Sequence, residues 1–315
     1  MAGSLLVVLA ITSFALRRTS NVHLIDHLNI NHEQGRHDLL TAFYVDILGC
    51  TLDPRKVENL EAGKGTLWAN AGAHQFHLPA GKPHAQVFDG VVTLGYDSLE
   101  GVRARLASPP PVLAESKFAS MAADEGKLSL IDPWGTRFHL VQLEEAADPR
   151  GAQPGAESSD ARALLDLTVR VPMGTPLAGV ARFYEYVLGM PALSCDAERL
   201  VLAAGDTRAD GAPRQTLTFA CGARESMSHA ELGSDENGKP VNHGAHLSLY
   251  LADLREAYAK AEALGVCYVN HRFKRRALTL EEALEQCMFR ILTVVDPEVT
   301  HAPPAPAVMA SDDLR

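Results

Sequence analysis

Three histidines stand in segments that the sequence predicts to be β-strands. They are His27 in "IDHLNIN", His77 in "HQFHLP" and His139 in "DPWGTRFHL". Successive side chains of a strand alternate between its two faces, so the apolar neighbours of these histidines must face the opposite side. The three imidazoles can therefore share one concave face, where neutral imidazole suits Zn, Fe, Ni, Cu or Mn. Alternatively, they are hydrogen-bonded strand histidines that line a polar cleft.

Other catalytic groups are sparse. The five cysteines are widely spaced without a CxxC pair, which predicts reduced thiols and neither a disulfide framework nor a thiolate zinc site. Glycine-rich phosphate loops, a GxSxG elbow and a triad pattern are absent, so no nucleotide cofactor is implied. The candidate general bases are unligated histidines, Tyr96 and Tyr250. Asp26 and Asp166 are expected to face away from the site, and the catalytic residues stay unassigned.

Length and composition indicate a globular protein of two domains. The 315 residues are 46% hydrophobic and 22% charged, with a net charge of −10. The one basic cluster is the short "HRFKRR" at 271–276. Nucleic acid is therefore an unlikely partner, because phosphate binding needs an extended basic surface. A small-molecule substrate is expected instead, and the chain is expected to be a monomer or a homodimer.

The first 20 residues are predicted to be a leader or targeting segment. An apolar run over 5–16 is too short to span a bilayer, and Arg17 and Arg18 follow it. A secretory signal normally carries its positive charge before the apolar run, so an organellar presequence or a disordered leader is an equal alternative. The expected location is cytoplasmic or organellar rather than extracellular, and no membrane span is predicted.

An internal repeat organises the rest of the chain. "FYVDILGC" at 43–50 reappears as "FYEYVLGM" at 183–190, an offset of 140 residues. The same offset aligns "IDHLNIN" with "LDLTVRV", so that Leu167 becomes the counterpart of His27. A second similarity, between the segments that begin at Val91 and His246, indicates two units of strand, helix and further strands in each half.

This repeat divides the sequence into two halves. The first is 21–143 and the second, more degenerate, is 164–297; a flexible linker is predicted at 144–163 and a disordered tail at 298–315. Hydrophobic periodicity predicts the remaining elements. The predicted strands are 22–31, 65–70, 73–78, 91–96, 127–131, 136–142, 164–171, 199–204, 214–220, 245–251 and 288–294, and the predicted helices are 36–48, 98–107, 177–188 and 253–264.

Together these motifs resemble the vicinal oxygen chelate superfamily, which includes glyoxalase I, extradiol dioxygenases and fosfomycin- and bleomycin-resistance proteins. The resemblance rests on "IDHLNIN", "FYVDILGC" and "DPWGTRFHLVQ" in the first half and on "FYEYVLGM" and "GAHLSLYLADL" in the second. It implies an α+β fold of tandem βαβββ modules, the glyoxalase/bleomycin resistance/dihydroxybiphenyl dioxygenase fold, arranged as two paired-module domains. Each pair would form a curved sheet around a divalent metal.

The resemblance also implies a metal site in the first half. His27 matches the first-strand ligand, His77 the last strand of the first module, and His139 the last-strand position that glutamate commonly occupies. A divalent Zn, Fe, Mn or Ni ion would then chelate vicinal oxygens of a small substrate in a lyase, isomerase or dioxygenase reaction. The alternative is a metal-free protein that binds or sequesters a small molecule in the same cleft, so enzymatic activity itself stays open.

The second half retains fewer candidate ligands. Its positions matching the first half are Leu167, Leu217 and His246, and only His246 can bind a metal, in a separate or cross-half site. The last strand fails to appear, since the chain after Asp296 continues as "PEVTHAPPAP". Extradiol dioxygenases keep their ligands in the second half, so this loss argues against ring cleavage.

Overall fold

The computed structural model describes residues 20–63, 65–80, 85–121, 126–144, 151–222, 245–269 and 275–299. The predicted leader, apart from Ser20, and the predicted tail from residue 300 onward lie outside these residues. The strands are β1 (Val22–Asn29), β2 (Thr51–Leu52), β3 (Leu67–Ala71), β4 (His74–Leu78), β5 (Gly90–Tyr96), β6 (Ala119–Met121), β7 (Lys127–Ile131), β8 (Arg137–Gln142), β9 (Ala161–Val171), β10 (Ala192–Cys195), β11 (Arg199–Thr207), β12 (Pro213–Cys221) and β13 (His246–Leu251).

The helices largely match the predicted pattern. They are α1 (His37–Leu40), which continues as a π-helix (Thr41–Ile47), α2 (Val57–Glu61), α3 (Glu100–Ala107), α4 (Leu177–Leu188), α5 (Leu254–Ala263) and α6 (Leu280–Glu285). Within the parts of the chain that the structure describes, no helix is long and apolar enough to cross a membrane.

Helix α4 shows how the sequence sets these boundaries. Val180, Phe183 and Val187 recur at helical spacing; Phe183 and Val187 are buried, and the partly buried Val180 packs against the same hydrophobic core. The helix ends where Gly189 adopts a left-handed conformation with φ of 61°, which residues with a Cβ rarely adopt. Gly49 has a φ of 70° just after the equivalent helix of the first half, so the "LG" of both repeated motifs is a helix stop.

The strands form two sheets of the expected module type. The strand order is β13-β1-β4-β3-β2 in the first sheet and β10-β11-β12-β9-β5-β8-β7-β6 in the second. In each complete module the first strand pairs in parallel with the fourth, as β1 does with β4, β5 with β8 and β9 with β12. The predicted α+β fold of βαβββ modules is confirmed. We call the face of the five-stranded sheet that carries His27 cup A, and the face of the eight-stranded sheet that carries His139 cup B.

Both sheets take strands from both halves of the sequence. β1 pairs antiparallel with β13, and β5 pairs antiparallel with β9. The expectation of one cup in each half was therefore wrong, because the first module pairs with the fourth and the second with the third. The boundaries 21–143 and 164–297 remain a prediction about the sequence repeat, since both sheets extend across them.

Two local predictions also need correction. The segment 288–294 is not a strand, and only Ile291 within it forms an isolated bridge, with Cys267. Its β-branched residues favour a strand, but β-structure needs a neighbour with which to pair. In the predicted linker 144–163, β9 begins at Ala161, and the buried hydroxyl of Ser159 lies 3.1 Å from a backbone carbonyl of β3. The described end of this linker is therefore packed rather than flexible.

Candidate functional site

Cup A brings together three of the four predicted histidines. His27 on β1 and His77 on β4 stack with their ring centroids 3.7 Å apart and their planes 23° apart. His246 on β13 meets His27 edge-on, with centroids 6.4 Å apart. The cluster forms because β1 lies between β4 and β13 in the sheet. His246, from the second half of the sequence, therefore lies beside two first-half histidines, which is the placement that a cross-half site would need.

His139 does not join this cluster. It lies on β8 in the eight-stranded sheet, opposite Thr93 of β5 and Ser129 of β7. The expectation that His27, His77 and His139 share one concave face was therefore wrong. Side-chain alternation determines which face of a strand each histidine occupies, but it does not determine the sheet to which that strand belongs.

Asp26 contacts His27 directly, against the expectation that it faces away. Its Oδ2 lies 2.7 Å from His27 Nδ1, and Asp26 is only 4% exposed. The pairing of β1 with β13 is irregular between Ile25 and His27, and such a bulge re-aims consecutive side chains. Because a carboxylate only accepts hydrogen bonds, Nδ1 carries the proton, and Nε2 is left as the basic nitrogen.

Stacking fixes the ring of His77 on both sides. The indole of Trp68 lies parallel to it at 4.5 Å, on the side opposite the 3.7 Å contact with His27. The guanidinium of Arg55 and the ammonium of Lys56 lie 4.9 Å and 4.7 Å from the Trp68 ring centroid. Such cation–π contacts favour a fixed indole. The column of rings holds His77 in one orientation.

Hydrogen bonds and burial define the charge state of this cluster. His77 Nε2 donates to Gln75 Oε1 at 3.2 Å, and Arg55 Nε donates to Asp53 Oδ1 at 2.8 Å. Burial, followed by the proximity of His27 and His246, lowers the pKa of His77 to about 3. His77 is therefore a neutral imidazole at neutral pH.

The donor set of cup A suits a divalent metal in its chemistry but not in its geometry. Neutral imidazoles bind Zn, Fe, Mn or Ni, with a nitrogen about 2.0–2.1 Å from zinc, for example. The lone pairs of two stacked rings lie in nearly parallel planes, here with the ring centroids 3.7 Å apart, so His27 and His77 cannot both point at one ion in this arrangement. Among the described residues, no three His, Cys, Asp or Glu side chains are placed to hold a metal.

Cup B contains a polar cavity of about 470 Å³. Its lining comes from six strands and combines acidic, basic and hydroxyl side chains: Val91, Thr93, Lys127, His139, Asp166, Thr168, Arg199, Val201, Thr216 and Thr218. Burial, together with the positive charge of Lys127, lowers the pKa of His139. Asp166 therefore faces a cavity, and the expectation that it points away from a site was wrong.

The strand register changes the counterpart of His27 in the second half. Leu28 and Leu167 are both fully buried on the core side of the first strands of their modules. The residues just before them, His27 and Asp166, therefore occupy equivalent positions facing the cups. The sequence offset of 140 had instead paired His27 with Leu167. A shift of one residue in a strand exchanges its two faces, which is why this alignment failed.

The same correction applies to the last strand. Leu217 is fully buried in the core, whereas the next residue, Thr218, lines cup B. Thr218 pairs with Thr168 of β9 as His77 pairs with Asn29 of β1. The equivalent of His77 in the third module is therefore Thr218 and not Leu217.

The other candidate groups lie outside both cups or at their edge. Tyr96 is buried and its hydroxyl donates to the Leu48 carbonyl at 2.9 Å, which is a structural contact. Tyr250 is 54% exposed near Asp26, and burial and Asp26 raise its pKa. Cys50 is buried, and burial raises the pKa of its thiol to about 12, so it is not a reactive nucleophile.

No family model matches this sequence, and no curated protein matches it. Solved structures to which the chain is similar include glyoxalase I from Zea mays, with 17% identity, 78% of this chain and 82% of that chain covered and a TM-score of 0.47. Another is 2,2',3-trihydroxybiphenyl 1,2-dioxygenase from Sphingomonas wittichii strain RW1, with 14% identity, coverage of 79% and 82%, and a TM-score of 0.31. A third is the cppA protein from Streptococcus pneumoniae TIGR4, with 9% identity, coverage of 80% and 92%, and a TM-score of 0.41.

Fold assignment rests on the sheets themselves, in which complete βαβββ modules meet through antiparallel first strands. The chain has the vicinal oxygen chelate fold. Within this fold, cup B is built from two complete modules, whereas the fourth module contributes only β13 to cup A among the described residues.

Proposed function

We propose that cup A catalyses proton transfer on a small molecule with oxygens on neighbouring carbons, as an isomerase or a lyase. The observation that carries this proposal is the 2.7 Å contact between Asp26 and His27 Nδ1. It defines His27 as the general base, with Nε2 as the accepting atom. The His27 side chain is 15% exposed, so a small substrate can reach it.

Asp26 positions the base. Its carboxylate holds the Nδ1–H tautomer and stabilises the imidazolium that forms when Nε2 accepts a proton. The proton would come from a carbon next to a carbonyl group and would return to the neighbouring carbon or to a leaving group. Asp26 does not itself need to be protonated during this cycle.

Arg55 supplies the positive charge that such a reaction requires. Removing a proton next to a carbonyl places negative charge on the carbonyl oxygen, which a fixed cation stabilises. Asp53 holds the Arg55 guanidinium through its Nε at 2.8 Å, and Arg55 lies over the ring of Trp68, which stacks on His77. The base and the cation therefore belong to one cluster.

Solvent deuterium exchange tests this function without knowledge of the natural substrate. Chelator-treated protein is incubated in D₂O with dihydroxyacetone, a small hydroxyketone, and loss of the carbon-bound proton signals is followed by NMR. We expect exchange by the wild type, none above background by His27→Asn, and exchange reduced about 100-fold by Asp26→Asn. His139→Asn, on the other sheet, is the matched control. Equal exchange by the wild type and His27→Asn contradicts the proposal.

A metal-dependent lyase, isomerase or dioxygenase at the same place is the second candidate. The meeting of three imidazoles, His27, His77 and His246, favours it. Binding of Zn, Fe, Mn or Ni would require His27 and His77 to unstack. This candidate is supported if exchange disappears on chelation and returns with one of these ions. The three His→Asn variants should then also lose the metal. Saturable binding without exchange supports a metal-free sequestration protein.

A further inference from the structure

We infer that cup B is a second small-molecule site, separate from cup A, and that it takes a hydroxycarboxylate, a small carboxylate with hydroxyls on adjacent carbons. The cavity of about 470 Å³ is within the usual range for small-ligand pockets. Its polar groups are arranged in two sets, a hydroxyl set around Asp166 and a cationic pair. These sets match the two ends of such a ligand.

The hydroxyl set presents acceptors to a ligand. Thr168 and Thr216 donate to Asp166 at 2.6 Å each, and Thr218 donates to it at 2.8 Å. Each threonine has a single hydroxyl proton and gives it to the carboxylate, which leaves its oxygen lone pairs as acceptors. A ligand that satisfies these oxygens must bring donors, and hydroxyl groups are the simplest donors in a molecule of this size.

The cationic pair requires a negative group. Lys127 and Arg199 line the same cavity, and ammonium and guanidinium groups form strong hydrogen bonds with carboxylates. His139 adds no positive charge at neutral pH, because burial and Lys127 lower its pKa. The charged side chains that line the cavity are thus the two cations and Asp166 with its three hydroxyl partners. A monoanion or dianion with hydroxyls complements this set.

Cup B shares no lining side chain with the histidine cluster of cup A. Binding of a ligand in cup B is therefore independent of the function proposed for cup A.

Calorimetric titration of the full chain with L-tartrate and D-gluconate tests the ligand class. Succinate, which lacks hydroxyls, and xylitol, which lacks charge, are the comparison compounds. We expect saturable one-to-one binding of at least one hydroxycarboxylate, at least tenfold tighter than both comparison compounds, and weaker at higher salt concentration. Absence of binding at about 10 mM ligand, corresponding to less than about 3 kcal/mol of binding energy, overturns the inference, as does equal binding of succinate or of xylitol.

Variants locate the site. Lys127→Gln and Arg199→Gln should each raise the dissociation constant about tenfold, which is the expected loss of one charge-assisted hydrogen bond. Thr218→Val should weaken binding, whereas Thr218→Ser, which keeps the hydroxyl, should restore it and shows that a folding defect is not the cause. His27→Asn is the control in cup A and should bind as the wild type does. Loss of binding in His27→Asn with retention in the cup B variants overturns the assignment.

Discussion

The two cups are built from the same module, yet they differ at the positions that face the ligand. On the first strands, cup A carries His27 and His246, whereas cup B carries Val91 and Asp166. The strand register makes His27 equivalent to Asp166 and His246 equivalent to Val91, since Asn29 stands opposite His246 as Thr168 stands opposite Val91. The same module type therefore presents imidazoles on the first strands of one cup and a carboxylate beside hydroxyl groups in the other.

The last strands extend this difference. Cup A has His77 and no second last strand among the described residues, whereas cup B has both His139 and Thr218. Among the described residues, cup A has five strands against eight in cup B, and Tyr250 on β13 is exposed. The open cavity of cup B lies on the sheet that two complete modules form. The two cups thus share a module type and differ in the few side chains that they present.

The largest expected difference between the two cups comes from removing the proposed base of cup A. His27→Asn should lower the rate of deuterium exchange at least about 1,000-fold, because it removes the imidazole that Asp26 orients as the proposed base. His139→Asn in cup B should change that rate less than twofold. NMR exchange rates under identical conditions provide the measurement. Similar losses in both variants would mean that the two cups act together.

The equivalence of the first strands β1 and β9 can be tested by the contribution of their buried leucines to stability. Leu28→Ala and Leu167→Ala should each lower the free energy of unfolding by about 2–5 kcal/mol, because both side chains are fully buried. Leu193→Ala, at a half-exposed position on β10, should cost less than about 0.5 kcal/mol. Urea denaturation gives these values. A small cost for Leu167→Ala would instead support the sequence alignment that places Leu167 at the ligand position.

The free energy of unfolding should depend on pH in acid through the buried imidazole of His77 in cup A. His77 has a pKa of about 3 in the folded state and an ordinary value near 6.5 when unfolded. Below pH 6.5 the unfolded chain therefore binds the extra proton, and the free energy of unfolding falls with falling pH. This contribution amounts to about 3 kcal/mol between pH 7 and pH 4. His77→Phe should flatten the stability curve over this range.

The control for this titration is His139→Phe, measured by the same urea denaturation at each pH. Burial also lowers the pKa of His139, so this variant should change the curve in the same direction. An unchanged curve for His77→Phe would show that His77 is accessible to protons in the folded state.

The smallest expected effect is in cup B. Lys127→Gln should weaken L-tartrate binding about tenfold and reduce its dependence on salt, while leaving exchange in cup A unchanged. Calorimetry at two salt concentrations gives both quantities. A change in the exchange rate with no change in tartrate affinity would place Lys127 in the function of cup A.

Much of the fold could be predicted from local sequence. The helix over 177–188 and the glycine that ends it follow from periodicity and capping, and the duplicated motifs predicted the βαβββ module. The pairing of modules across the two halves could not be predicted, because it depends on which first strands meet. That pairing is why His139 is separated from His27 and why His246 approaches it.

The sequence predicted which residue types the candidate site contains, but not which residues belong to it. The strand pattern identified His27 and His77, yet it assigned Asp26 and Asp166 to the wrong face. For Asp26 the cause is an irregularity in β1 beside His27, which no sequence period reveals. For Asp166 it is a one-residue error in aligning the repeats. Requiring the fully buried leucines to align, rather than the motifs, would have identified Asp166.

The ring nitrogens of His27 provide the most direct test of the account. We predict from the contact with Asp26 that nitrogen-15 NMR of the metal-stripped full chain will show the neutral imidazole of His27 protonated at Nδ1 and unprotonated at Nε2. Asp26→Asn should shift this preference toward the other tautomer. A wild-type spectrum with the proton on Nε2, or a tautomer ratio unchanged by Asp26→Asn, would contradict the assignment of His27 as the oriented base of cup A.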